Sequence, residues 1–168
     1  CGKQQDRYLT IPCVEYYVLV KSSSICHIKT CYLAVERSIN NWEANMSKAE
    51  KIGSIRAVAT AKTLTANGMN PVFEVSAISG QGTLAGADIV QMMATYTAEM
   101  GPDGILHGEC PNSGVVVATD GVATYRATGV GTFTENGGST FKGVCYFQTV
   151  APSLSKLNGA AVIFNWDV

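Results

Sequence analysis

The chain has 168 residues, of which 46% are hydrophobic and 15% charged, enough apolar material for one domain with a sizeable core. Its net charge of −1 excludes the basic surface that nucleic-acid binding needs, so no nucleic-acid partner is expected. No run approaches the roughly 20 apolar residues of a membrane-spanning helix, so no transmembrane segment is expected.

Residues 1–53 differ in composition and residue pattern from the rest of the chain, and they are predicted to form a separate, cysteine-containing N-terminal segment. Residues 10–20 fit one strand. Over residues 31–52 apolar positions recur at roughly helical spacing between charged ones, and the pattern stops at Gly53, which predicts an amphipathic helix. Such a helix can cover an open end or an edge of a sheet.

The cysteines allow two interpretations. Their even number, six, and their clustering near the N-terminus fit disulfides in an oxidising compartment, but a chain of this size does not depend on such bridges. Cys26, His27 and Cys31 are ligand types for zinc, yet a second pair at finger spacing is absent, so no metal site is assigned. Cys145 lies in an apolar strand pattern and is interpreted as a small core residue. We favour an extracellular or periplasmic location.

Residues 54–168 are predicted to form an antiparallel β-barrel domain. Short stretches alternate between apolar and polar residues, which is the period of a strand with one buried face. Glycine-rich turns such as Gly101-Pro102-Asp103-Gly104 and Asp120-Gly121 reverse the chain between them. We therefore predict an all-β fold in which about seven strands form an antiparallel meander that closes into a small barrel. The stretches are 54–64, 72–84, 88–100, 105–110, 115–118, 122–134, 139–150 and 160–168, with one helical turn in 151–159.

The alternation also selects the side chains that face the barrel interior. In 88–100 these are the even positions from Val90 to Met100, and in 122–134 the odd positions from Ala123 to Phe133. A cavity lined by this face would hold an apolar ligand, whereas the alternative is that the same side chains fill a solid core, as an eight-stranded barrel allows. The predicted ligand-contacting residues are Met92, Tyr96, Tyr125, Phe133, Phe147, Phe164 and Trp166.

The meander of residues 54–168, rich in tyrosine, threonine and glycine and with Pro-Asp-Gly and Asp-Gly turns, resembles the small antiparallel barrels of the lipocalin-like and allene-oxide-cyclase-like groups. It departs from true lipocalins because no Gly-x-Trp lies near the first strand. The resemblance implies a small apolar ligand held in the barrel mouth, which a few such proteins cyclise or isomerise. It is a likeness of fold, and a fold does not by itself fix a function.

Three functions are compatible with these patterns. The first is a barrel that binds a small apolar ligand. The second is a structural subunit of an extracellular assembly, a homo-oligomer whose copies exchange strands. The third is a cyclase or isomerase in which His107 and Glu109, on one face of a strand, act on a bound apolar substrate. The alternative for this pair is the polar outer face of an exposed strand, so no catalytic residue is assigned and no cofactor is expected.

Overall fold

The structure, a computed structural model, describes residues 13–19 and 49–168, to which all statements below refer. Eight strands follow in chain order, and each pairs antiparallel with the next. The last strand pairs with the first, so the sheet closes into a barrel and the predicted all-β meander is confirmed. The strands are β1 (Cys13–Leu19), β2 (Ala49–Asn67), β3 (Asn70–Leu84), β4 (Ala87–Met100), β5 (Leu106–Ala118), β6 (Gly121–Phe133), β7 (Ser139–Thr149) and β8 (Val162–Asp167).

The strand that closes the barrel comes from the N-terminal segment. β1 pairs along its length with β2 on one side and with β8 on the other. The barrel therefore begins before residue 54 and has eight strands rather than about seven. Of the predicted helix, residues 31–48 lie outside the described part of the chain, and residues 49–52 are the first residues of β2. No helix in the described ranges is long and apolar enough to cross a bilayer.

Two strands depart from the regular predicted pattern because bulges interrupt them. The register of β4 with β5 shifts between Ile89 and Gln91, so that Ile89 is buried and Val90, predicted to face the interior, is 47% exposed. The two predicted pieces of β5 are one strand, whose register is interrupted at residues 111–113. An extra residue in one strand of a pair turns the side chains beyond it to the other face.

A short 3-10 helix, Pro152–Leu157, covers part of one end of the barrel, and it lies where the sequence predicted a helical turn. Leu154 and Leu157 are buried in the core, and we call this side the helix-capped end. Asp120, in the turn between β5 and β6, holds the helix in place. Its carboxylate accepts hydrogen bonds from the backbone amide of Ser153 at 2.8 Å and from the Ser153 hydroxyl at 2.6 Å.

Aromatic side chains meet at the opposite end, which we call the aromatic end. The rings of Phe73 in β3 and Phe133 in β6 meet edge to face with centroids 5.6 Å apart. Since β3 and β6 are not neighbours in the sheet, this contact spans the mouth of the barrel. Phe133 was predicted to line the interior, and this is corrected: as the last residue of β6 it lies at the rim and is 51% exposed.

The contact between Asp120 and the 3-10 helix yields a prediction about stability and pH. The hydrogen bonds from the side chain and then the backbone of Ser153 hold the pKa of Asp120 below its ordinary 3.8. A carboxylate with a lowered pKa in the folded state stabilises the fold above its unfolded-state pKa and loses that contribution as the pH falls through the folded-state value. We expect Asp120→Asn to lower the Tm at pH 7 by a few degrees, and the difference from wild type to shrink as the pH falls below 3.8.

Thermal unfolding followed by circular dichroism between pH 2 and 7 measures this difference, in buffers whose pH changes little with temperature. Asp88→Asn, at the start of β4, is the matched control, and it should not lower the Tm at pH 7. A deficit of Asp120→Asn that is constant across this pH range would contradict the assignment.

Candidate functional site

A small cavity of about 60 Å³, partly open to solvent, lies inside the barrel. We call it the central cavity. Its wall combines small residues with aromatic rings, and the small residues leave the space that the rings do not fill. The small residues are Ala77, Ala94, Gly108, Cys110, Ala127, Gly129 and Cys145; the rings belong to Tyr16, Tyr96, Tyr125, Phe141, Phe164 and Trp166; Val14, Met92, Glu109 and Thr128 complete the wall.

Glycines on neighbouring strands decide where the aromatic rings lie. Gly114 of β5 is opposite Tyr125 of β6, and Gly131 of β6 is opposite Phe141 of β7. A methyl group added at Gly114 would lie 2.3 Å from the ring of Tyr125, and one added at Gly131 would lie 2.6 Å from the ring of Phe141. Each ring therefore covers the backbone of its partner glycine, in space that the side chain of any other residue would occupy.

Three glycines lie side by side on adjacent strands, so this part of the barrel wall has no side chains. Gly108, Gly129 and Gly143 are directly opposite one another on β5, β6 and β7. The ring of Phe164, from β8, covers two of them: an added methyl group would lie 2.7 Å from the ring at Gly143 and 3.2 Å from it at Gly129. Without these glycines a ring of this size would not fit inside so narrow a barrel.

A hydrogen bond crosses the interior near the aromatic end. The indole Nε1 of Trp166 in β8 donates to the hydroxyl of Tyr96 in β4 at 2.9 Å, and these strands lie on opposite sides of the barrel. Tyr96 also packs edge to face against Phe141, with ring centroids 5.7 Å apart. Burial raises the pKa of Tyr96 well above its ordinary value, although the bond from Trp166 acts in the opposite direction. Tyr96 is therefore neutral at physiological pH.

Two further phenols, Tyr16 and Tyr125, are paired inside the cavity wall. Burial raises the pKa of each well above the ordinary 10.0. The hydrogen bond between them raises the pKa of Tyr16 and lowers that of Tyr125, as expected if Tyr16 donates. The Tyr125 hydroxyl in turn points to the sulfur of Met92 at 3.9 Å. Both hydroxyls are thus occupied by protein partners.

Two free thiols, Cys110 and Cys145, also border the cavity. Ala127 lies between them, opposite Cys110 on one side and opposite Cys145 on the other. Two strand spacings separate their Cα atoms by roughly 9–10 Å, whereas a disulfide needs about 4.4–6.8 Å. Cys110 and Cys145 therefore do not form a disulfide with each other. Burial, and then the neighbouring Cys110, raise the pKa of Cys145, which agrees with its interpretation as a core residue.

The structure brings together five of the seven residues predicted to contact a ligand. Phe147 is buried but does not border the cavity, because it packs behind the rings of Tyr16 and Tyr125. Phe133 lies at the rim of the aromatic end. The five that border the cavity are Met92, Tyr96, Tyr125, Phe164 and Trp166.

Several wall residues were not predicted. The alternation in β7 placed Phe141 and Cys145 on the same face as Phe147, so the pattern itself could have found them. Tyr16 belongs to β1, whose place in the barrel no local pattern indicates. Cys110 directly precedes the bulge in β5, where the alternation breaks.

His107 and Glu109 lie on the outer face of β5, as the alternative interpretation held. Glu109 borders the cavity, yet its carboxylate is exposed and accepts a hydrogen bond from the Thr128 hydroxyl at 2.8 Å. His107 is exposed and opposite Glu99 of β4. A molecule in the cavity would therefore be on the other side of the sheet from both side chains.

Comparison with known proteins gave no match: no protein-family model, no curated protein and no solved structure is significantly similar to this chain. The coarse likeness to lipocalin-like barrels therefore depends on the eight-stranded antiparallel architecture alone.

The packing of Tyr125 on Gly114 yields a prediction. Gly114→Ala should destabilise the barrel by about 1–3 kcal/mol, the usual range for an overpacked core, because the added methyl group would overlap the Tyr125 ring. Tyr125→Leu removes the overlap, so the double variant should be more stable than the sum of the single effects predicts, by at least about 0.5 kcal/mol. Urea unfolding of the four proteins measures this coupling.

Gly108→Ala is the graded control. A methyl group there would lie 3.3 Å from the ring of Phe141, a contact that a small shift relieves, so the expected loss of stability is smaller. If Gly114→Ala lowers the free energy of unfolding no more than Gly108→Ala does, the ring of Tyr125 does not pack against Gly114 as described.

Proposed function

We propose that the barrel binds one small apolar molecule in the central cavity. The observation that carries this proposal is the apolar space inside the barrel, partly open to solvent, whose wall is made almost entirely of alanine, glycine, thiols and aromatic rings. Protein interiors normally close such spaces by packing. Ligand sites in β-barrels are apolar spaces of this kind with a few polar groups at fixed positions.

The volume of the cavity limits the size of the ligand. About 60 Å³ is more than the roughly 10–15 Å³ that one water molecule needs. It is less than the roughly 150 Å³ of an engineered apolar cavity that binds benzene or xenon, and far less than the roughly 300–1,000 Å³ of sites for drug-sized ligands. The expected ligand has few heavy atoms. A larger ligand of lipocalin type would require a ring such as that of Phe164 to leave its glycines.

The polar groups of the wall also favour an apolar ligand. No buried side-chain nitrogen or oxygen in the described residues lacks a hydrogen-bond partner. A polar ligand would lose its hydrogen bonds to water and find no unpaired group to replace them, which is costly in an apolar site. An apolar ligand has no such cost, and it gains contact with the rings that line the cavity.

The alternative of a strand-exchanging structural subunit receives less support. An open sheet edge would favour pairing with a strand of another copy. β1 and β8, which would be the strands to exchange, pair with each other and complete the barrel within one chain. The pair predicted for an enzymatic role, His107 and Glu109, presents its side chains to the outer surface.

Xenon is the probe for this proposal, because it is apolar and monatomic. We expect the NMR signals of the methyl groups of Met92 and Ala127 to shift with xenon pressure and to saturate. Ala127→Leu fills the cavity and should abolish these shifts at Met92 while the Tm stays the same or rises. Ala127→Val serves as the smaller filling variant if the leucine disrupts folding.

Val130→Leu is the matched control, since Val130 lies on the outer face of the same strand and is 52% exposed. It should bind xenon as the wild type does. Absence of saturable xenon binding to the wild type, or binding that persists in both cavity-filling variants, would overturn the proposal.

A further inference from the structure

The outer surface of the barrel carries a row of apolar side chains across four neighbouring strands. Val58 of β2 is opposite Ile78 of β3, and Met93 of β4 is opposite Val115 of β5. The next pair in the ladder of β3 with β4 places Ile78 beside Met93. The row therefore runs without interruption from β2 to β5. We call these four residues the outer apolar row.

The side chains of this row point away from the core. Val58 is 38% exposed, Ile78 is 50% exposed and Met93 is 41% exposed, and Val115 is partly exposed. In β2 the residues on either side of Val58 are buried alanines, as the alternation of a strand requires. A contiguous group of exposed apolar residues marks an interaction surface, whereas scattered ones are ordinary.

Val130 in β6 is an example of the ordinary case. It is 52% exposed, more than any member of the outer apolar row. Its neighbours across the sheet are His107 of β5 and Lys142 of β7, so its side chain lies alone between ionisable groups. Exposure by itself therefore does not distinguish the outer apolar row, but continuity across four strands does.

A second row lies on the same four strands, closer to the aromatic end. From β2 to β5 its members are opposite one another in the order Lys62, Glu74, Thr97 and Glu109. We call this the charged row. Lys62 forms an ion pair with Glu74, with Nζ and Oε1 2.7 Å apart, and Glu109 stands at the other end. The charged row is thus basic at β2 and acidic at β5.

Together the two rows form a surface that is complementary to itself. A two-fold axis parallel to the strands, between β3 and β4, would set the same surface of two copies face to face. Ile78 of each copy would then meet Met93 of the other beside the axis, with Val58 against Val115 further out. The same rotation sets the Lys62 ammonium of each copy opposite the Glu109 carboxylate of the other. Long side chains suit this outer position, where the curvature of two barrels leaves a gap.

The overall charge favours the same partner. The chain carries a net charge of −1, so two copies repel each other little. An apolar centre with a charged rim is also the usual arrangement of an interface, and opposite charges across the rim fix the orientation of the partners. Both barrels stay closed in this arrangement, because no strand has to leave its own sheet.

We infer that the outer apolar row is the centre of an interface between two copies of this chain, and that the charged row fixes their orientation. The inference goes beyond the proposed ligand site and does not depend on it, since the interface lies on the outer face of the sheet. Xenon binding and dimer formation are measured separately, so either can fail without the other.

Sedimentation velocity over a range of concentrations up to about 1 mM, the weak end of measurable affinities, tests the inference. We expect the wild type to form dimers in this range. Ile78→Lys places a charge beside the axis and should raise the Kd of the dimer at least about 30-fold, the effect of losing a central interface residue. Met93→Lys is the second variant if Ile78→Lys does not fold, which circular dichroism shows.

Val130→Lys is the matched control. It introduces the same charge at an exposed valine outside both rows, and the Kd of the dimer should stay within twofold of the wild-type value. A wild type that remains monomeric at about 1 mM would overturn the inference. An equal loss of dimer in Ile78→Lys and Val130→Lys would do the same.

A mixing experiment tests the orientation of the two copies. Lys62→Glu and Glu109→Lys each set like charges against each other twice in a homodimer, so each variant alone should dimerise about tenfold more weakly than the wild type. In a mixed dimer of the two variants opposite charges face each other at both positions. An equimolar mixture should therefore recover the dimer. Native mass spectrometry, with one variant labelled with ¹⁵N, measures the mixed species.

The mixture is compared with each variant alone, because the loss of the ion pair between Lys62 and Glu74 is then the same on both sides of the comparison. A mixture with no more dimer than the separate variants would contradict the orientation. A monomeric wild type that binds phosphatidylcholine vesicles, and loses this binding in Ile78→Lys, would overturn the inference and assign the outer apolar row to a lipid surface.

Discussion

The fit between aromatic rings and glycines inside the barrel is the constraint on which the rest of this structure depends. An eight-stranded barrel has an interior just wide enough for side chains to fill. Tyr125, Phe141 and Phe164 fit there because each covers a glycine of the neighbouring strand rather than competing with a side chain for the same space. The glycines of β5, β6 and β7 are therefore part of the core, although they contribute no side chain to it.

The same fit leaves a small space unfilled. Small residues of adjacent strands coincide in the row of Cys110, Ala127 and Cys145, and this row borders the central cavity. Around it the polar groups satisfy one another: Trp166 donates to Tyr96, and Tyr16 pairs with Tyr125. Because these polar groups are already paired, the cavity offers a bound molecule apolar contacts rather than hydrogen bonds. This is the physical basis of the proposed ligand class.

Local chemistry in the sequence determined most of the strands and turns. Alternation with a period of two marks strands with one buried face, and the turn residues between them restrict the chain to a reversal, so the meander and most of its inward side chains followed without coordinates. Five of the seven residues named as ligand contacts border the cavity for this reason. The sequence also shows the small residues between the aromatic positions. It does not show that small residues of neighbouring strands lie opposite one another.

The tertiary structure alone decided the rest, because it depends on register and on contacts between distant residues. A bulge in β4 places Val90 at the surface, and a bulge in β5 lies between the two pieces that the sequence predicted as separate strands. The alternation of apolar and polar residues on either side of a bulge does not reveal that the pairing register has shifted between them. The place of β1 between β2 and β8 follows from pairing with the far end of the chain. The contacts from Phe73 to Phe133 and from Trp166 to Tyr96 cross the barrel, so these contacts and the cavity beside them exist only once the sheet has closed.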